Sequence, residues 1–119
     1  MAAPHLPPAE ALALDSLIAH TPAGIASRVI ARSAGGNVTL FAFDAGQELS
    51  EHTAPFDALL LVQQGTFNLT IGGQAVRASA GMVVRLPANV PHAVAADEQA
   101  RMLLIMLRAD TAATSVPNQ

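Results

Sequence analysis

From residue 25 to residue 108 the chain is a succession of short apolar and β-branched runs, each closed within a few residues by glycine, proline or asparagine. Runs of this kind, interrupted at short intervals by turn residues, mark an all-β sandwich or barrel. They predict strands over residues 25–33, 37–44, 47–54, 57–64, 66–71, 74–78, 82–86, 90–95 and 100–108. The Gly72, Gly73 pair between two of these runs suits a tight hairpin whose central residues take positive φ. Gly46, Gly65 and Gly81 each precede a new run, and Pro55, Pro87 and Pro91 stand where a ladder hydrogen bond is lost, at edges or bends.

Ahead of the strands the pattern differs. Leu12, Leu14, Leu17 and Ile18 fall among Ala, Glu and Asp between Pro8 and Ala19, which predicts a short helix with one apolar stripe, ended by Pro22 and Gly24. The domain reading is an arm with a short helix over residues 1–24, a barrel over 25–109 and a flexible, polar tail over 110–119.

Three predicted strands do not alternate: Leu40–Phe43, Ala58–Val62 and Met102–Leu107 are apolar at successive positions. One face of an antiparallel sheet normally meets water, so these runs require cover on both sides. The barrel interior supplies one cover. A ten-residue helix shields only part of the other, which makes a homodimer the better account of the outer face.

Composition points the same way. With 119 residues there is room for one core, and 51% hydrophobic against 13% charged residues is apolar for so small a chain. Six arginines, no lysine and a net charge of -3 leave no basic stripe for phosphates, so nucleic acid is not an expected partner. The longest apolar run, Met102–Leu107, is far short of the roughly 20 residues of a membrane-crossing helix. With no secretory pattern in MAAPHLPPAE, the expectation is a cytoplasmic protein without membrane association. The absence of cysteine excludes disulfides, thiolate ligands and cysteine nucleophiles. No Tyr or Trp is present to stack on bases or sugars.

Candidate chemistry gathers in two segments. From Gly46 to Gly65 the chain carries His52, with Ala54 two residues on and Ala58 beyond it; from Gly81 to Ala96 it carries Pro87, Asn89 and His92. The first segment resembles the first cupin motif, which runs glycine, five residues, His-x-His, three or four residues, Glu or His, six residues, glycine. Both glycines and the first histidine match, while Ala54 and Ala58 occupy the second histidine and carboxylate positions. The second segment resembles the second motif, with Asn89 at a glycine position, His92 as its histidine and Ala96 at the final asparagine. The chain thus resembles the cupin superfamily, in particular the small bacterial single-domain RmlC-like proteins of the cupin_2 conserved-barrel type. This implies an all-β double-stranded β-helix, a jelly-roll barrel of six to eight strands, with His52 and His92 as the surviving metal ligands.

Catalytic zinc normally has three protein ligands, and an oxygenase iron two histidines and a carboxylate. Two imidazoles hold a divalent ion (Zn, Ni, Mn or Fe) only weakly. Glu48 shares the parity of His52 but lies about 13 Å along the strand, and Glu51 and Asp57 have the opposite parity. Arg28, Arg77 and Arg85 are strand arginines able in principle to clamp a carboxylate, Arg77 reading best as a solvated edge charge. His5 and His20, in the arm, read as ordinary surface histidines. The lead reading is a barrel that binds a small organic molecule, an acid or carbonyl compound, in a pocket of His52, Ala54, Ala58, Leu60, Val62, His92 and Val94. Two rivals stand beside it: a metal-dependent oxygenase or isomerase using a two-histidine site, and a sensor or accessory module without catalysis.

Overall fold

The computed structural model describes residues 6–108; the tail over 110–119 and His5 lie outside the described residues. Nine strands follow one another: β1 Ile25–Ser33, β2 Gly36–Phe43, β3 Glu48–His52, β4 Asp57–Gln64, β5 Thr66–Ile71, β6 Gln74–Ser79, β7 Val83–Leu86, β8 His92–Ala95 and β9 Ala100–Leu107. They form a five-stranded sheet in the order β1-β2-β9-β4-β7 and a four-stranded sheet in the order β3-β8-β5-β6, antiparallel throughout. This is the jelly-roll barrel expected, with β1 added at one edge of the larger sheet. The hairpin between β5 and β6 turns on Gly72 and Gly73 at φ 57° and 83°, a conformation closed to most side-chain-bearing residues.

The core lies between the sheets. Phe43 of β2 meets Phe67 of β5 edge-to-face, ring centroids 5.0 Å apart, and both are fully buried. Ala58, Leu60 and Val62 of β4, Leu69 of β5, Val94 of β8 and Met102 of β9 pack around them. Along β4 the intervening Leu59, Leu61 and Gln63 are half-buried or exposed, so the strand alternates structurally although its sequence does not.

Leu40 and Ala42 are also buried, but on the opposite face from this core: Leu40 pairs with Leu103 and Arg28, and Ala42 with Arg101. The amino-terminal arm covers them. Arg28 donates from Nη1 to the Leu17 carbonyl at 3.0 Å, Arg101 from Nη1 to the Asp15 carbonyl at 2.8 Å, and Gln63 from Nε2 to Asp15 Oδ1 at 2.7 Å. The Leu6 amide bonds the Ile30 carbonyl at the irregularity in β1.

The arm is not the short helix expected between residues 8 and 19. It contains a single 3-10 turn, Leu14–Ser16, preceded by Ala13, whose side chain caps nothing. So short a segment is marginal as an isolated helix, and here the carbonyls of Asp15 and Leu17 are drawn to arginines of the sheet. No helix among the described residues is long and apolar enough to cross a membrane.

Because Phe67 joins the two sheets, Phe67→Ala is expected to cost about 3–5 kcal/mol of unfolding free energy. Urea denaturation followed by circular dichroism measures it, and a loss below about 1 kcal/mol would mean that the sheets do not depend on this contact.

Candidate functional site

His52 ends β3 and His92 begins β8, and in this antiparallel pair the two residues are directly opposed. Their rings meet edge-to-face with centroids 4.4 Å apart. Ile71 of β5 is the other neighbour of His92, so the imidazoles sit at the end of the four-stranded sheet, beside loops 53–56 and 87–91. His92 is 7% exposed, on the inward face with Val94; His52 opens to solvent at the rim.

Simple alternation does not bring His52 to this face. Leu49 pairs with Val94, and His52 with His92, so β3 holds one residue more than β8 between the two pairs. Such a bulge inverts the parity of everything before it. Glu48, expected on the same face as His52, instead pairs with Ala95 and is exposed, which removes it as a ligand on direction as well as distance.

Each imidazole is oriented by a backbone carbonyl two residues earlier in the chain. His52 Nδ1 lies 2.8 Å from the Ser50 carbonyl and His92 Nδ1 lies 3.2 Å from the Val90 carbonyl. A carbonyl oxygen only accepts, so each Nδ1 carries the proton and each neutral ring keeps its lone pair on Nε2. The site is thus a pair of adjacent acceptors. Burial pushes the His92 imidazole below its usual range; the bond to the Val90 carbonyl opposes this, and the nearby His52 adds to it.

The loop leading to His92 is braced by Asp57, the first residue of β4. Its Oδ1 accepts from the Ala88 amide at 2.8 Å and its Oδ2 from Arg85 Nη1 at 2.9 Å. The Ala88 amide, and after it Arg85, hold the Asp57 carboxyl below the usual carboxylate range. Asn89, at φ 62°, stands in a conformation that glycine adopts freely and Asn tolerates better than most, and its amide bonds the Ala54 carbonyl at 2.7 Å. Parity had assigned Asp57 only an outward direction; its tie to position 88, 31 residues away, is the part that sequence reasoning missed.

The remaining pocket residues divide. Ala54 lies in the loop beside the pair, joined to Asn89. Ala58, Leu60, Val62 and Val94 belong to the packed core. Cavities of about 310 and 320 Å³ lie elsewhere, one beside Gly36 and Leu107, the other beside Asn68, Arg77 and Asp97. The strand arginines have other partners: Arg28 the arm, Arg85 Asp57, and Arg77 the side-chain oxygen of Asn68 at 3.5 Å.

The match to known proteins follows this geometry. Residues 39–107 match the Cupin_2 family model, a cupin domain, and so cover more than half of the chain. The chain belongs to the cupin superfamily. It is similar to a cupin superfamily protein from Desulfitobacterium hafniense, 32% identical over 87% of this chain and 95% of the other, with a TM-score of 0.81. It is similar also to a protein of unknown function from Streptococcus pyogenes, 28% identical over 88% and 92% of the two chains, with a TM-score of 0.83. No curated protein matches it.

A resident cupin metal ion does not fit this donor set. Among the described residues no group of three or more His, Asp or Glu side chains is placed to hold an ion. His52 and His92 offer two nitrogens where catalytic zinc takes three protein ligands. Restoring the motif by Ala54→His with Ala58→Glu is expected to tighten zinc binding by at least about tenfold. A competition titration that found no gain in the folded variant would show that positions 54 and 58 do not face the pair.

The lowered pKa of His92 also has a thermal signature. The unfolded imidazole, with a pKa of about 6.5, takes a proton more readily than the folded one. The stability contributed by neutral His92 is therefore complete above that pH and is lost as the pH falls through the folded value. The melting temperature should decline below about pH 6.5, and His92→Asn should remove that part of the decline. Scanning calorimetry across this range checks it; an equal slope in both proteins would contradict the assignment.

Proposed function

We propose that this cupin binds a small organic molecule, a hydroxy acid or an enolisable carbonyl compound, at the rim formed by His52 and His92. The observation that carries the reading is that both Nδ1 atoms are committed to the carbonyls of Ser50 and Val90, which leaves the Nε2 lone pairs free on two rings whose centroids lie 4.4 Å apart. Two neighbouring acceptors favour a ligand that brings its own hydroxyl or enol proton. With its pKa lowered, His92 is the neutral acceptor, able to take that proton as a base. A carboxylate on the same molecule is then stabilised by whichever imidazole becomes protonated.

Phe43, Phe67, Leu60 and Met102 fill the barrel interior, which argues for a small ligand held at the rim rather than deep inside. The two-histidine metal enzyme is the weaker reading, because half of the motif's ligand set is alanine.

Imidazole nitrogen resonances recorded by NMR while α-hydroxy acids and α-keto acids are titrated test the proposal. Selective shifts of the His52 and His92 Nε2 signals at millimolar ligand, abolished by His92→Ala, are expected. No shift with any member of either class would overturn it.

A further inference from the structure

The outer face of the four-stranded sheet carries opposite charges that do not meet. Asn68 of β5 stands between Arg77 of β6 and Ala95 of β8, and by register all three point away from the core that Phe67, Leu69 and Val94 fill. Beside the small Ala95 the Asn68 amide reaches the loop that follows β8, where its Nδ2 donates to Asp97 Oδ2 at 3.2 Å. Its Oδ1 accepts from Arg77 Nη1 at 3.5 Å. The ion pairs among the described residues are those of Arg85 with Asp57 and of Arg101 with Asp15, so the charges of Arg77, Asp97 and Glu98 are not matched by one another. Between these three side chains lies a cavity of about 320 Å³, within the usual range of small-ligand sites, with Thr66 and Gln99 also in its wall. Thr66 is roughly 17 Å along β5 from Ile71, the neighbour of His92, so the cavity is distinct from the histidine pair.

The acidic wall is fixed in place. The Ala96 amide donates to the Gln47 carbonyl at 3.0 Å, the Ala96 carbonyl accepts from the Gly46 amide at 2.8 Å, and Gln99 Nε2 donates to Asp44 Oδ1 at 3.0 Å. Gly65, at φ 77°, lets the loop lie close to the end of β4, since a Cβ there would stand 2.8 Å from the Gln99 carbonyl oxygen. Asp97 and Glu98 are thus carried on a short loop tied down on both sides.

We propose that this cavity binds a free α-amino acid with a basic side chain. Joined through Asn68, Arg77 Nη1 and Asp97 Oδ2 stand at most about 9 Å apart. In an α-amino acid the ammonium nitrogen and the carboxylate oxygens are about 3 Å apart, and one charge-assisted bond of about 2.8 Å at each end extends the reach to about 9 Å. The carboxylate lies against the Arg77 guanidinium, whose planar fork suits it, and the ammonium against Asp97. Glu98 adds a second negative charge to the wall. One cation and two anions are complemented by a ligand with one anion and two cations, which selects lysine, ornithine or arginine over glutamate.

Titration of the isotope-labelled full chain, followed through its backbone amide NMR spectrum, tests this. Lysine is expected to shift the amides of residues 65–68, 77 and 97–99 saturably, with a dissociation constant in the millimolar range because the charges are exposed. Arg77→Gln and Asp97→Asn should each raise that constant at least about tenfold. Both positions are exposed, and an unchanged spectrum away from the cavity verifies that the variants fold. Two further ligands isolate the parts: cadaverine is lysine without its carboxylate, and glutamate carries the opposite side-chain charge. Each should bind at least about tenfold more weakly than lysine. The proposal is overturned by the absence of saturable shifts with lysine and arginine at tens of millimolar, by cadaverine or glutamate binding as tightly as lysine, or by lysine binding that survives both substitutions.

Discussion

The contact of Phe43 with Phe67 is the constraint on which the remaining structure rests. It ties the five-stranded to the four-stranded sheet at the barrel centre, with Leu60, Leu69, Val94 and Met102 packed around the two rings. A chain with four phenylalanines and neither Tyr nor Trp has few side chains large enough to span two sheets. Two of them meet here. Within the four-stranded sheet β3 and β8 are paired edge to edge, and the opposition of His52 and His92 follows from their register.

The same packing explains why three strands are apolar without alternation. Their inward residues belong to the barrel and their outward residues form a second apolar surface, one end of which lies beneath the arm. Beyond the few local bonds of its 3-10 turn, the arm is held by arginines reaching up from the sheet. Arg28 and Arg101 spend their guanidinium groups on backbone carbonyls of Asp15 and Leu17, which withdraws them from any role with a substrate.

Most of the strand pattern was legible because glycine and proline act locally. Gly72 and Gly73 require positive φ in a two-residue hairpin whatever the tertiary context, and they bounded β5 and β6 within a residue. The arm was misread because its apolar stripe was taken for helical periodicity, whereas Leu17 and Ile18 are half-buried in a segment with a single 3-10 turn. The candidate site was legible in its two histidines but not in their surroundings. A bulge between Leu49 and His52 leaves no mark on hydrophobic alternation, so the face of Glu48 was assigned wrongly. The Asp57 brace joins positions 31 apart, and no local rule connects them.

What alanine at positions 54 and 58 does to the chemistry is best seen from what it leaves in place. Each surviving imidazole still donates its Nδ1 proton to a backbone carbonyl two residues earlier in the chain, an arrangement that fixes tautomer and ring direction whether Nε2 meets a metal or a proton. The Asp57 tie to loop 87–91 likewise continues to position His92. Removing two ligands therefore alters what the site attracts without disordering the residues that remain. A metal ion needs further donors converging on one point; a hydroxyl proton needs a single free lone pair, and each imidazole has one on Nε2 once its Nδ1 proton is committed. Partial burial keeps His92 neutral further into the acid range than a free imidazole, so that lone pair is available at neutral pH. In the proposed binding mode the same pair of imidazoles serves as hydrogen-bond acceptors, with alanine at the two remaining ligand positions of the motif.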